Sequence, residues 1–331
     1  MIGSLVDGLL DRSIVFSFDR TGLWRHRARF VEGDLDVDLS GRVCLVTGAN
    51  AGLGRSAARE LARLGAETWM LVRNRTRGEE AAHAVTSETG SRRVHVEVVD
   101  VSSLRSIAAF VDRFTRQRVD VLINNAGVLP DTFQLTEDGL ELTLATNLVG
   151  PFALTTRLVP RLAQSDDGRV VMVSSGGMYS QKLEVDQLGA GPDGFDGVKA
   201  YARTKRAEVV LSELWAEHYR GLPVTWSAMH PGWADTPGVK TSLPTFRRVT
   251  QLILRTPDEG ADTIVWLAAC RRLKGQSGLF WFDRAPQPTH LMSSTEESAA
   301  EREALWRKLP AWANLPKQSP PRRTAIRRRG R

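Results

Sequence analysis

Tyr201-Ala-Arg-Thr-Lys205 sets a phenol and an ammonium four residues apart. On a helix, positions i and i+4 share a face, so both side chains can serve one site. A phenol exchanges protons near neutrality only when its pKa falls from the usual ~10. A nearby ammonium does that by favouring phenolate. The pair therefore suits proton transfer to or from the oxygen of a carbonyl or an alcohol. Far upstream, Thr47-Gly48-Ala-Asn50-Ala-Gly52-Leu53-Gly54 is a glycine-rich turn able to hold phosphates. A nucleotide cofactor beside a proton donor is the equipment for hydride transfer.

The elements around these residues have to place them. Residues 42–46 form a short apolar run of strand type, and 55–64 turn helical, with Ala57, Ala58, Leu61 and Leu64 on one face. The glycines thus sit where a strand meets a helix N-terminus, which offers free N–H groups to an anion. Gly48 permits the tight turn, Gly52 lets the backbone approach a pyrophosphate, and Gly54 lets helix and strand pack closely. Further strands are expected over 68–72, 94–99, 119–123, 170–173, 224–229 and 277–282, separated by helical runs. That alternation implies a single α/β domain: a doubly wound (Rossmann) parallel sheet with helices on both faces. Thr256-Pro-Asp-Glu259 reads as a capping box opening a helix over 260–269.

The T-G-x-x-x-G-x-G spacing resembles the short-chain dehydrogenase/reductase superfamily, and further matches follow in that family's order. Asp100-Val101 ends the third strand, and Asn124-Asn-Ala126-Gly127 ends the fourth. Asn147 follows Thr136-Glu-Asp-Gly139, and Ser174-Ser175 ends the fifth strand. Then come Tyr201, Lys205 and Pro231-Gly232. The resemblance covers about residues 40–284. It implies that Tyr201 is the general acid/base and that Ser175 hydrogen-bonds the substrate oxygen. It also implies that Lys205 holds the nicotinamide ribose and that Asn147 positions a water in a proton relay. Asp100 is then the adenine contact, with Asn124 and Ala126 along the ribose. Pro231, Gly232 and Trp233 close on the nicotinamide, and Thr236 contacts the carboxamide or phosphates. Read without the resemblance, Ser174-Ser175 can simply end a strand, and Asp100 can cap the helix after it. The S-S-G-G-M run, Phe195-Asp-Gly197 and H-P-G-W-A-D-T-P-G-V resemble the dehydrogenase/reductase member-12 branch, near retinol-dehydrogenase-like reductases. That branch implies lipophilic alcohols or carbonyls as substrates. Met178, Phe195, Trp233, Leu243 and Phe246 either line an apolar pocket or pack beneath a lid.

Cofactor choice is read at the end of the second strand, where a carboxylate binds the ribose 2′-hydroxyl and an arginine accommodates a 2′-phosphate. Here Arg73-Asn74-Arg75 follows residues 68–72, with no acidic residue at the strand end. NADP(H) is therefore expected over NAD(H), with Arg73 the first choice as selector. Two other readings remain: a non-catalytic NADP-binding redox sensor or scaffold, and a nucleotide-sugar epimerase or dehydratase. The first has no need of Tyr201 and Lys205. The second lacks its large C-terminal substrate domain here.

The ends carry the remaining signals. The expected organisation is an N-terminal extension over 1–39, the catalytic domain over 40–284, a C-terminal extension over 285–315 and a basic disordered tail over 316–331. The net charge of +7 resides in that tail, in Lys317, Arg322, Arg323, Arg327, Arg328, Arg329 and Arg331. A solvated tail is expected rather than specific nucleic-acid binding. Ile2, Leu5, Val6, Leu9 and Leu10 follow helical spacing, interrupted by Asp7 and Asp11. No long uncharged span or signal-peptide order is present. That segment is expected to pack on the body or on a second subunit of a homodimer, or to touch a membrane peripherally. Two cysteines, Cys44 and Cys270, give neither disulfide framework nor metal pattern and fit a cytoplasmic compartment.

Overall fold

The computed structural model describes residues 17–242 and 244–316. The apolar N-terminal positions up to Leu10, the basic tail and Leu243 lie outside the described residues.

Eight strands form one sheet in the order β3-β2-β1-β4-β5-β6-β7-β8. They are β1 (Val43–Thr47), β2 (Glu67–Val72), β3 (Val94–Val98), β4 (Val121–Asn124), β5 (Gly168–Val173), β6 (Val224–Met229), β7 (Leu279–Phe282) and β8 (Ala285–Gln287). The first seven are parallel; β8 turns back antiparallel to β7. Every residue of β1, β4, β5 and β6 is buried. That is why these segments read as near-continuous apolar runs: a parallel strand is covered on both faces. The edge strand β3 is half-buried throughout and tolerates His95 and Glu97.

The helices divide between the faces. The first described helix, α1 (Arg20–Arg27), precedes the sheet. On one face lie α2 (Gly52–Arg63) and α3 (Arg75–Thr89). Across the sheet lie α4 (Leu104–Arg113), α5 (Gly150–Leu162) and the long α6 (Gly197–His218). Two short helices, α7 (Pro237–Ser242) and α8 (Pro244–Thr250), follow β6. Then α9 (Pro257–Ala269) joins α2 and α3, and α10 (Ala299–Trp312) joins α5 and α6. The expected capping box opens α9: Thr256 accepts from Glu259 N at 3.1 Å, and Glu259 accepts from Thr256 N at 2.8 Å. One core centres on Leu61, Ile264, Trp266 and Trp281. The other centres on Phe152, Trp215, Trp226 and Leu305. Residues 285–315 thus enter the fold, supplying the last strand and, through Leu305, Trp306 and Leu309 of α10, part of the second core.

The neighbours of β1 on its two sides are β2 and β4, so the chain reverses its direction of travel across the sheet there. A crevice opens outside the carboxyl ends of strands at such a switch point.

Candidate active site

The loop from β1 to α2 floors that crevice, a cleft of about 320 Å³. The N-cap of α2 is Ala51, which makes no side-chain capping bond, so the first N–H groups of the helix face the cleft without one. Gly48, Asn50, Gly52 and Leu53 line it. Gly54 lies behind them instead, where a Cβ would fall 2.5 Å from Gly48 O. Only glycine allows the helix to sit this close to the turn, which is the packing role its position implied. Thr47 clips the loop in place: its Oγ1 accepts from Asn125 N at 2.9 Å and Ala126 N at 3.0 Å.

On the far side Arg73, Asp100, Val101, Ala126 and Gly127 line the same cleft, and Thr236 closes it from the loop after β6. Arg73 follows β2 directly and is exposed. Its neighbours have other partners: Asn74 caps α3 by accepting from Arg77 N at 3.0 Å, and Arg75 reaches Glu79 at 3.4 Å. Asp100 does not cap α4, whose cap is Ser103. It stiffens the turn below it, accepting from Ser102 N at 2.9 Å and Ser102 Oγ at 2.7 Å. Asn124 points away from the cleft and is buried, its Nδ2 donating to Thr155 Oγ1 at 3.0 Å. The side chain beside the cleft is that of Asn125, whose Nδ2 donates to Thr47 O at 2.9 Å.

Asp196 caps α6, accepting from Lys199 N at 3.0 Å, and the first turns of α6 carry Tyr201 and Lys205. Lys205 is buried, with Nζ 5.4 Å from the centre of the Tyr201 ring. Nζ donates to Val173 O at 2.9 Å and to Glu208 Oε1 at 2.8 Å. Burial works against the ammonium, but Glu208 and Tyr201 outweigh it and hold the Lys205 pKa above the ordinary value. Nζ also lies 3.5 Å from where a Cβ on Gly127 would stand, so it borders the cleft. Asn147 sits in a π-helical turn, Ala145–Val149, just before α5. Such turns are uncommon and often occur at functional sites. The Asn147 side chain accepts from Val128 N at 2.8 Å and donates to Val128 O and Thr204 Oγ1, each at 3.1 Å. Ser174 is buried against the backbone of α6, donating to Lys205 O at 2.8 Å, whereas Ser175 is half-exposed at the end of β5. The structure therefore separates the two serines, and Ser175 is the accessible one.

Pro231, Gly232 and Trp233 are set by a buried cluster with no local sequence signal. Arg255 forks onto Asp283 at 2.6 and 2.9 Å and also donates to Pro231 O, Ser17 O and Asp19 O. His26 Nδ1 lies 2.6 Å from the same carboxylate. Phe18 wedges against Gly176, next to Ser175, and its carbonyl accepts from Trp233 N at 2.8 Å. Burial, with the Arg255 charge beside it, drives the His230 pKa down to about 3. The neutral ring accepts from Gly232 N at 3.2 Å. Trp233 meets Phe246 edge-on at 5.1 Å between ring centres, and Phe195 meets Phe133 at 5.7 Å. Met178 is fully buried in the core, so it lines no pocket.

The sequence pattern of the short chain dehydrogenase family matches residues 42–245, the stretch that builds the cleft and carries Tyr201 and Lys205. The chain belongs to that family. This short chain dehydrogenase is 43% identical over 279 residues to the bovine (Bos taurus) dehydrogenase/reductase SDR family member 12, covering 83% of this chain and 87% of that protein. It is 34% identical over 294 residues to human (Homo sapiens) retinol dehydrogenase 14, covering 81% and 85%. Among solved structures, a short chain dehydrogenase from Shigella flexneri complexed with NADP superposes with a TM-score of 0.62 at 26% identity. That match covers 77% of this chain and 100% of the other. The chain is thus an NAD(P)-dependent oxidoreductase. No helix among its described residues is long and apolar enough to cross a membrane.

Proposed function

We propose that this enzyme interconverts a lipophilic alcohol and its carbonyl with NADP(H), Tyr201 acting as general acid and base. The observation that carries the reading is the buried Lys205 ammonium held beside the Tyr201 ring at the edge of a phosphate-binding cleft. The uncapped start of α2, the close-packed Gly54 and the arginine after β2 fit a dinucleotide phosphate. Gly48, Asn50, Gly52 and Leu53 would hold the pyrophosphate, Arg73 a 2′-phosphate, and Lys205 the ribose next to the nicotinamide. When bound, the nicotinamide supplies or takes the hydride.

In the reducing direction Tyr201 gives its proton to the carbonyl oxygen as the carbon is reduced; in oxidation the phenolate removes the alcohol proton. The Lys205 ammonium stabilises the negative charge that appears on the Tyr201 oxygen. Ser175 hydrogen-bonds the same substrate oxygen and fixes its direction. The Asn147 side chain is already committed to Val128 and Thr204. A water relay at this position therefore falls to the backbone of its π-turn. Retinol dehydrogenases among the relatives support a lipophilic alcohol as substrate, and the NADP-bound relative supports the phosphorylated cofactor. The two free, buried cysteines suit a cytoplasmic setting. A panel of aldehydes, ketones and alcohols, run with NADPH/NADP and NADH/NAD, tests the reading. Turnover of apolar carbonyls with NADPH supports it; no cofactor oxidation with any of them sinks it.

Arg73 carries the cofactor choice. Arg73→Ala is expected to weaken NADPH binding by about 1.5–3 kcal/mol, the value of a hydrogen bond to a charged group. NADH, with no 2′-phosphate, should be little affected. Fluorescence titration with both cofactors measures this, and equal losses would reject Arg73 as selector.

A further inference from the structure

We propose that Glu208 is a positioning residue for this reaction: its carboxylate keeps the buried Lys205 ammonium charged and aimed at the cleft. The proposal rests on the function inferred above. Glu208 lies one helical turn beyond Lys205 on α6, is 1% exposed, and accepts from Nζ at 2.8 Å. A second Nζ–H goes to Val173 O on β5. An ammonium has three such donors. The third remains for the side on which Nζ borders Gly127 and the cleft. Two fixed acceptors thus define where the third N–H points.

The charge argument is independent of the aim. A lysine this deep, left alone, tends to release its proton, because burial disfavours the charged form. The groups facing Lys205 are Tyr201 on its own helix, Val173 at the end of β5 and Ser174 just after it, and Asn147 in the π-turn beyond Gly127. None of these is a carboxylate. Glu208 is the acidic partner of Lys205 among the described residues, and its other oxygen, Oε2, is buried without a hydrogen-bond partner. Burial pushes the Glu208 carboxyl up to about 7, with Lys205 pulling it back. A buried acid of this kind is costly to the fold. Holding the lysine charge gives it a function.

The test uses the full-length protein with Glu208→Gln and Glu208→Met, checked for folding by circular dichroism. In wild type the raised Lys205 pKa adds stability that is present below about 10.5 and lost as pH climbs past the folded value. In the variants only Tyr201 is left to oppose burial, so the folded pKa is expected to fall below 10.5, and stability then rises with pH between the two values. The Tm gap to wild type should therefore narrow from pH 7.5 to pH 10. Over the same range NADPH affinity of both variants should drop by about tenfold or more relative to wild type, as the ribose loses a charged donor. Gap and affinity ratio both independent of pH would overturn the proposal. So would a Gln variant that behaves as wild type while Met does not, since a hydrogen bond would then suffice. If the single variants fail to fold, Lys205→Met/Glu208→Met decides. A folded double variant supports a lone buried charge as the cause, whereas an unfolded one makes Glu208 a packing residue and rejects the idea. Absence of turnover in wild type, with the pH effects as expected, would remove the proposed reaction and leave the role of Glu208 intact.

Discussion

Tyr201→Phe is expected to lower turnover by about 10²–10⁴-fold, the usual contribution of a positioned acid or base. The substitution removes one oxygen and leaves the ring, so the 5.4 Å contact with the Lys205 ammonium survives. Cofactor affinity should stay near wild type, because the groups lining the cleft are untouched. The split between the two readouts identifies a proton-transfer residue: kcat collapses while NADPH titration is unchanged. Lys205→Ala should differ by damaging both, as its Nζ borders the cleft and faces the phenol. Turnover of Tyr201→Phe close to wild type would remove Tyr201 from the mechanism.

The parts of this site written in short sequence stretches were legible; those assembled across the chain were not. The glycine turn, the apolar strands and the Tyr201–Lys205 spacing are local patterns, and local backbone geometry follows from them. The capping box at Thr256 is another, and it forms as expected. Glu208 is also close in sequence, but a glutamate three residues after a lysine normally reads as an exposed helix pair. Only the burial of α6 against β5 turns it into an interior partner. Asn124 and Asn125 show a different limit. Adjacent residues at a strand end point to opposite sides, and spacing alone does not say which side meets the cleft. β8 escaped notice because Ala285–Gln287 is three residues long, contains Pro286 and sits at the sheet edge.

The cluster around Arg255 was least legible, since it joins residues more than 200 positions apart. Arg255→Met is expected to destabilise the fold by about 3–5 kcal/mol, the range for removing one partner of a buried ion pair. The residue is 1% exposed. Its loss leaves Asp283 with His26, frees the carbonyls of Ser17 and Pro231, and takes one of two donors from that of Asp19, which keeps Leu23 N. Methionine fills much of the volume, so the effect reports charge and hydrogen bonding more than a cavity. Urea unfolding should show a lower midpoint with little change in slope. Arg255→Met/Asp283→Leu should recover part of the loss, because the uncompensated carboxylate is then gone. The consequence reaches the site, since Phe18 O and Arg255 fix the backbone of Gly232 and Trp233 from behind. The segment proposed to close on the nicotinamide is therefore braced by the N-terminal segment of the chain. An unchanged urea midpoint in Arg255→Met would show that Asp283 and the freed carbonyls find other partners, and that the brace lies elsewhere.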